Sequence, residues 1–403
     1  MGVPTPYGKE QRLKDLVARD ALISNELDQE ASKLPYIVLN DRQICDLEMI
    51  SIGGFSPLEG FMNEKDYTSV VENTRLDDGT LWSIPIYLDV DHALYRENAG
   101  QSNETHTIRS GDRIALVEPE TNLNLAIITV SDVYPLDKVT EATKVYGKND
   151  LAHPAVSYLF NKTKSHAAGG SLQVIRPVTH KDFAEIRKTP AQTRADFENS
   201  QWDKIVAFQT RNPMHRAHLE LTLRASDRVD GARIFVHPVV GMTKPGDIDY
   251  VTRVNVYRMI MTHYPEGSSY LSLLPLAMRM GGPKEAVLHG IVRRNYGASH
   301  LIVGRDHAGP GKDSEGNDFY GPYEAQEYIA KFESELGIKP VFFSMVTYLP
   351  KEDRYEEIEK VKEGQETLSI SGTELRNRLK TGEEIPSWFS FDNVVKVLRE
   401  AYA

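Results

Sequence analysis

Ile205-Val-Ala-Phe-Gln-Thr-Arg-Asn-Pro-Met-His-Arg-Ala-His218 is the stretch whose reading decides the fold. Its first four residues are apolar and bounded by charge, the pattern of a short buried strand. Behind them come Gln209, Arg211 and Asn212, and then Pro213, which marks entry into a helix because proline tolerates the first helical turn and little else of one. A helical stretch runs on to about Asp227. A strand feeding a loop and then a helix is the repeating unit of a parallel sheet.

Outward from this unit the alternation continues. Ile234-Phe-Val236 is the next apolar run, a helix is predicted near Val251–His263, and Tyr270-Leu-Ser-Leu-Leu274 follows. In Lys284–Tyr296 the apolar positions Val287, Leu288, Ile291 and Val292 form one helical stripe. Leu301-Ile-Val303, a helix from about Tyr323 to Leu336 ending at Gly337, and Val341-Phe-Phe343 complete the series. Such alternation predicts an α/β nucleotide-binding type of domain, with a parallel sheet covered on both faces.

Upstream the texture is different. Ser83-Ile-Pro-Ile-Tyr-Leu-Asp-Val90 alternates apolar and polar residues as a half-buried strand does. Ile114-Ala-Leu-Val117 and Leu125-Ala-Ile-Ile-Thr-Val130 read as buried strands, punctuated by Gly111-Asp112 and Thr121-Asn122. One short helix starts near Asp41 and carries Ile44, Leu47 and Ile50 on one face. The expected division is a mainly β, barrel-like domain over residues 1–181, the α/β domain over 182–345, and a small, charged, mostly helical C-terminal subdomain over 346–403.

Composition narrows the partners. At 403 residues with 40% apolar and 26% charged side chains, the chain has enough material for a large core. Net charge is −11 and the sequence pI about 5.6, which argues against nucleic acid or an anionic membrane as partner. Any anionic ligand therefore needs a locally basic pocket. The one cysteine, Cys45, excludes a disulfide framework or a cysteine zinc site within one chain, and reads as a small apolar filler. The N-terminal residues to Asp20 lack the apolar run of a signal peptide, and no stretch approaches the length of a membrane span. A reducing, cytoplasmic setting is expected, and the sequons at Asn103 and Asn161 read as chance.

Ligands of open α/β sheets bind beyond the carboxyl ends of the strands. Two such ends are rich here. In Gln209–His218, two imidazoles three residues apart, His215 and His218, share one helical face beside Arg211, at a helix N-terminus that already favours anions. In Gly304-Arg-Asp-His-Ala-Gly-Pro-Gly311, glycines let backbone approach a ligand and Arg305 offers a bidentate fork. Between them lies the polar loop Gly241-Met-Thr-Lys-Pro-Gly-Asp-Ile-Asp249. His215, His218, Asp306 and His307 would also suit zinc or manganese, so a metallohydrolase is a rival. A P-loop is excluded, since Asp306 stands where the first glycine of Ala308-Gly-Pro-Gly-Lys-Asp313 would belong and Asp313 follows Lys312. No G-x-G-x-x-G opens a helix, which disfavours a dinucleotide dehydrogenase.

The paired histidines, with a late Ile370-Ser-Gly-Thr-Glu-Leu-Arg376, resemble the HxGH and ISxTxxR signatures of the nucleotidyltransferase superfamily. Within it, Gln209–His218, Val240–Asp249 and Gly304–Gly311 together resemble the ATP sulfurylase family. Gly53-Gly-Phe-Ser-Pro-Leu-Glu-Gly-Phe-Met62 and Leu273-Leu-Pro-Leu-Ala-Met-Arg-Met280 extend the resemblance over nearly the whole chain, closest to the fungal type. The resemblance implies an N-terminal PUA-like β-barrel domain, a Rossmann-like nucleotidyltransferase domain and the small C-terminal subdomain. It implies joining of sulfate to the α-phosphate of ATP with release of pyrophosphate. Thr210, Arg211 and Asn212 would be catalytic. Sulfate would be held by Gln209, Arg211 and the backbone N–H of Ala308. ATP would be held by Gln209, Thr210, Arg211, Asn212, His215, His218, Gly304, Arg305, Asp306, His307 and the backbone near Val346. Fungal relatives carry a further kinase-like domain that contributes to hexamers. This chain stops where that domain would begin, so a monomer or small homo-oligomer is expected. Leu219 stands where fungal relatives often have arginine.

Sulfate is already a dianion, so its attack needs positioning and electrostatic stabilisation, not a general base. Magnesium is expected only as Mg-ATP, held by substrate and water without a protein cage. The alternatives are another HxGH-type nucleotidyltransferase, such as one adenylylating a mononucleotide, and a binding protein using the PUA-like barrel for RNA, which the acidic charge disfavours.

Overall fold

The computed structural model describes residues 2–91, 94–96 and 105–402; the Asn103 sequon lies outside them. The N-terminal half is built on a mostly antiparallel sheet of β1 (Tyr36–Val38), β2 (Gly60–Phe61), β3 (Leu88–Val90), β4 (Leu94–Arg96), β5 (Thr105–Thr107), β6 (Arg113–Val117), β7 (Asn124–Pro135) and β8 (His166–Val174). The hydrogen-bonded path runs β2-β8-β7-β6-β1-β4-β5, with β3 also on β8 and with β1 and β6 parallel. Five helices surround it: α1 (Ala21–Ala31), α2 (Asp41–Ser51), α3 (Glu64–Asn73), α4 (Lys138–Tyr146) and α5 (Pro154–Asn161). The start of α2 is fixed by a capping box. Asn40 Oδ1 accepts the Gln43 N–H at 3.0 Å while Gln43 Oε1 accepts the Asn40 N–H at 2.9 Å. Leu47 and Ile50 then turn inward.

Ser83–Val90 departs from the expected alternation. Only its last three residues are strand, and Ser83, Ile84 and Ile86 are all buried. Pro85 has no N–H to give a ladder. The Ser83 hydroxyl instead donates to the Lys284 carbonyl at 2.6 Å, pinning the segment beneath the second half of the molecule.

That second half contains β9 (Ile205–Phe208), β10 (Arg233–Val236), β11 (Ser269–Leu271), β12 (His300–Val303) and β13 (Lys339–Phe342), all paired in parallel in the order β11-β10-β9-β12-β13. Around it lie α6 (Pro190–Asn199), α7 (Arg216–Arg228), α8 (Tyr250–Met261), α9 (Gly282–Asn295), α10 (Glu324–Ala330) and α11 (Glu333–Leu336). The helix expected over Tyr323–Leu336 is thus two pieces, the second ended by Gly337 in the left-handed region at φ +61°. Period-two alternation splits the core. Ile205 and Ala207 join a hydrophobic cluster continuous with the N-terminal domain, while Val206 and Phe208 face a second cluster with Val254 and Tyr257. The sequence order reverses between β9 and β12, so the ends of these two neighbours diverge to open a crevice.

Beyond β13 the chain forms the antiparallel hairpin β14 (Val346–Leu349) and β15 (Arg354–Glu357), then α12 (Gly372–Thr381) and α13 (Asp392–Tyr402). The expectation of a mostly helical tail overlooked this hairpin, which is held by the cross-strand pair Tyr348–Tyr355 with ring centroids 5.4 Å apart. Among the described residues, no helix is long and apolar enough to cross a membrane.

Candidate active site

The loops leaving β9 and β12 face one another across a cleft of about 480 Å³. Gln209, Thr210, Arg211, Asn212 and His218 line one wall, and Gly304, Arg305, Asp306, His307 and Ala308 the other. Val346, at the start of β14, closes one side. Of the residues singled out in the sequence, His215 alone is absent from this lining.

The first loop is a closed turn. The Thr210 hydroxyl accepts the Asn212 N–H and donates to the Asn212 carbonyl, both at 3.1 Å. The Tyr257 hydroxyl also donates to that carbonyl, at 2.9 Å, and the Val239 N–H donates to the Thr210 carbonyl at 3.0 Å. This leaves Arg211 projecting to an ion pair with Asp247, both side chains mostly buried. Asp247 belongs to the loop Gly241–Asp249, whose Lys244 amine donates to the Pro310 carbonyl at 2.7 Å. The middle loop therefore ties the two strand-end loops together. Cys45 packs beneath it, close to Gly241, and burial pushes its thiol up to about 12.

Helix α7 begins at Arg216, so Pro213 sits in the loop before it and not in its first turn. His215 is the capping residue, with extended backbone, and its N–H donates to His218 Nδ1 at 3.0 Å. An imidazole that accepts at Nδ1 carries its proton at Nε2 when neutral. Burial holds His218 down at about 4, so its Nε2–H is a neutral donor. The two rings do not share a helical face. His215 turns under the C-terminal segment, its ring 4.5 Å from that of Phe389 and its Nδ1 3.0 Å from Ser390 Oγ. Burial, then the neighbouring His218, pushes His215 down to about 3. It lines an adjoining cavity of about 380 Å³ with Trp388, Phe389 and Ile370.

The second loop is strained where it meets the cleft. Asp306 and Ala308 both occupy the left-handed region, at φ +55° and +53°. Non-glycine residues held there cost on the order of 1 kcal/mol each, a strain that concentrates at functional sites. The Asp306 N–H donates to the Pro322 carbonyl at 2.7 Å and the Ala308 carbonyl accepts the Gly282 N–H at 3.1 Å, which fixes the loop at both ends. Among the described residues the Ala308 N–H has no partner. His307 Nε2 lies 2.9 Å from His289 Nδ1. Among the described residues, no three His, Cys, Asp or Glu side chains gather as a metal site.

Two domain families match the chain. A profile described as ATP-sulfurylase covers residues 184–401 and one described as PUA-like domain covers residues 4–177. The chain belongs to the ATP-sulfurylase family. A sulfate adenylyltransferase of Schizosaccharomyces pombe is 56% identical over 97% of this chain and 78% of its own length. The Saccharomyces cerevisiae sulfate adenylyltransferase is 56% identical over 99% of this chain and 76% of its own length. That of Phaeosphaeria nodorum is 57% identical, but the match spans only 66% of its length. Among solved structures, a hexameric APS kinase from Thiobacillus denitrificans superposes with a TM-score of 0.76 at 29% identity, over 98% of this chain and 68% of that one.

For this ATP-sulfurylase family member, the sequence reading missed the polar face of α9. It found the apolar stripe Val287, Leu288, Ile291 and Val292. The same helix also buries Glu285, His289 and Arg293, each fully, at spacing i, i+4, i+8. Glu285 accepts the N–H groups of Arg279 and Gly281 at 3.0 and 2.9 Å, His289 meets His307, and Arg293 donates to Gln209. The available signal was three ionisable residues at helical spacing beside the apolar stripe of the same helix.

Proposed function

We propose that the cleft between the β9 and β12 loops joins sulfate to the α-phosphorus of ATP and releases pyrophosphate. The observation that carries this reading is the convergence of Arg211, Arg305, the His218 Nε2–H and an Ala308 N–H without a partner among the described residues on one cleft in a chain of net charge −11. The relatives named sulfate adenylyltransferase support the same assignment. Gln209, Arg211 and the Ala308 N–H seat the sulfate. The Gln209–Asn212 loop, His218, the Gly304–His307 loop and the backbone at Val346 hold ATP, and His215, outside the cleft lining, serves it only by orienting His218 through its N–H. Thr210, Arg211 and Asn212 bring the two anions together. Residues 1–181, 182–345 and 346–403 act as its three units. The same reading puts the chain in the cytoplasm and allows a homo-oligomer, as the hexameric structural relative suggests.

Transfer is direct. Sulfate oxygen attacks the α-phosphorus, the α–β bridging P–O bond breaks, and pyrophosphate leaves with the electron pair. No base is needed, because the nucleophile carries no proton. The Thr210 hydroxyl is engaged with backbone of its own loop, without an adjoining carboxylate or imidazole, which argues against an adenylylated enzyme. Magnesium enters as part of the MgATP substrate.

Pyrophosphate release assayed with sulfate and with nicotinamide mononucleotide tests the substrate. Release only with sulfate is expected, and release only with the mononucleotide would reassign the chain within its superfamily. Chirally labelled α-phosphorus should be inverted. Net retention, with pyrophosphate exchanging into ATP without sulfate, would show two displacements.

A further inference from the structure

Arg293 is fully buried, yet among the described residues no carboxylate pairs with it. Among the described residues its polar contacts are Gln209 Oε1 and the His237 carbonyl, the latter at 3.0 Å, both made by Nη2. Its Nε and Nη1 have no partner. Glu285, two turns earlier on α9, is already occupied by the Arg279 and Gly281 N–H groups and by His289. His237 brings no negative charge, an imidazole being neutral or cationic; its ring is wedged between Phe235 and Tyr296, with centroids 4.4 Å from each, and among the described residues neither ring nitrogen has a partner. Burying an uncompensated guanidinium costs several kcal/mol, so its counter-ion should come from elsewhere.

Gln209 indicates where. A guanidinium only donates, so the group it meets must be the carboxamide oxygen. The amide NH2 is thereby turned the other way, toward the cleft, where its partner is the weak acceptor Met278 Sδ at 3.5 Å. We infer that Arg293 is a positioning residue for the anionic substrate: it locks the Gln209 carboxamide with its donors facing the sulfate seat and leaves a positive charge directly behind it. This rests on the proposed function. Burial lowers Arg293 to about 9, which leaves it cationic at neutral pH.

The test is Arg293→Met, assayed by sulfate-dependent pyrophosphate release. The KM for sulfate should rise roughly 10- to 100-fold, the worth of one charge-assisted hydrogen bond, while the KM for MgATP, which the Gln209 loop also serves, rises by a much smaller factor. Thermal stability should change little, relief of an unpaired buried charge offsetting the loss of the hydrogen bonds to Gln209 and the His237 carbonyl. In a Gln209→Ala background, Arg293→Met should add less than threefold. A sulfate KM within threefold of wild type, a parallel rise in the MgATP KM, or full additivity with Gln209→Ala would each overturn the role. Should Arg293→Met not fold, Arg293→Lys carries the test, since lysine keeps the charge without the two-acceptor geometry, and an unchanged sulfate KM there has the same consequence. Absence of sulfate-dependent release from the wild-type chain would instead overturn the proposed function.

Discussion

His218 performs two separable tasks, and substitution can divide them. Its Nδ1 accepts the His215 N–H at 3.0 Å, which caps α7, and its Nε2–H is left for a ligand in the cleft. Asparagine places an oxygen close to the Nδ1 position but reaches no further, so His218→Asn keeps the cap and loses the outer donor. Alanine loses both. A helix cap is worth about 1 kcal/mol. One preorganised donor to developing charge is worth on the order of 100- to 1,000-fold in turnover. The expected pattern is therefore a stability difference of about 1 kcal/mol between the Asn and Ala variants in urea unfolding, with both losing turnover by about the same large factor. Turnover within threefold of wild type in His218→Asn would remove His218 from the mechanism and leave it a cap. Equal stability of the two variants would remove the cap.

Under the proposed function Asp247 competes with sulfate for Arg211, and its negative charge beside that seat repels the dianion. Asp247→Asn should lower the KM for sulfate several-fold, and a raised KM would show that the ion pair preorganises Arg211 instead of masking it. Glu141 is buried outside the cleft lining and accepts from the Tyr67 and Tyr87 hydroxyls at 3.0 and 3.3 Å, and burial holds it up at about 7. A raised carboxyl contributes stability that is fully present below the unfolded value of 4.5 and is lost as pH rises through 7. Glu141→Gln should therefore gain about 3 kcal/mol over wild type between pH 4.5 and pH 8, without change in activity, and a pH-independent difference would refute the shift.

The fold was legible because its signals are local. Ile205–Phe208, Ile234–Val236 and Leu301–Val303 are short apolar runs between helical stretches, and each became a parallel strand. Ser83–Val90 misled for a tertiary reason. Its alternation is real, but Lys284 and α9 cover the face that would otherwise be wet, and Pro85 cannot join a ladder. The hairpin after Phe343 was missed because its strands are only four residues each and the second, Arg354–Glu357, carries charge that resembles a solvated helix until Tyr348 and Tyr355 are seen to face each other.

The site was legible to a different depth. Both loops that line the cleft were identified from composition, because a phosphate or sulfate seat needs arginine, imidazole and glycine close together in sequence. Orientation was not. Nothing in the spacing of His215 and His218 tells that one is a capping residue turned beneath Phe389 while the other points its Nε2–H outward. That asymmetry follows from the helix beginning at Arg216, a boundary uncertain by a residue or two in any sequence reading. The supporting charges were hidden for another reason. Glu285, His289 and Arg293 lie some 75 residues or more from Gln209 along the chain, and their relation to the cleft exists only because the strand order reverses at β9 and β12. The reversal sets α9 behind both loops at once, so one helix face can brace Gln209 with Arg293 and His307 with His289. Glu285, on the same face, binds the Arg279–Gly281 segment and so links that brace to the N-terminal domain through Arg279, which meets Asp46 at 2.5 Å. A cleft that must hold two anions side by side gains from such rigid backing, since its donors then need no rearrangement when charge develops between them.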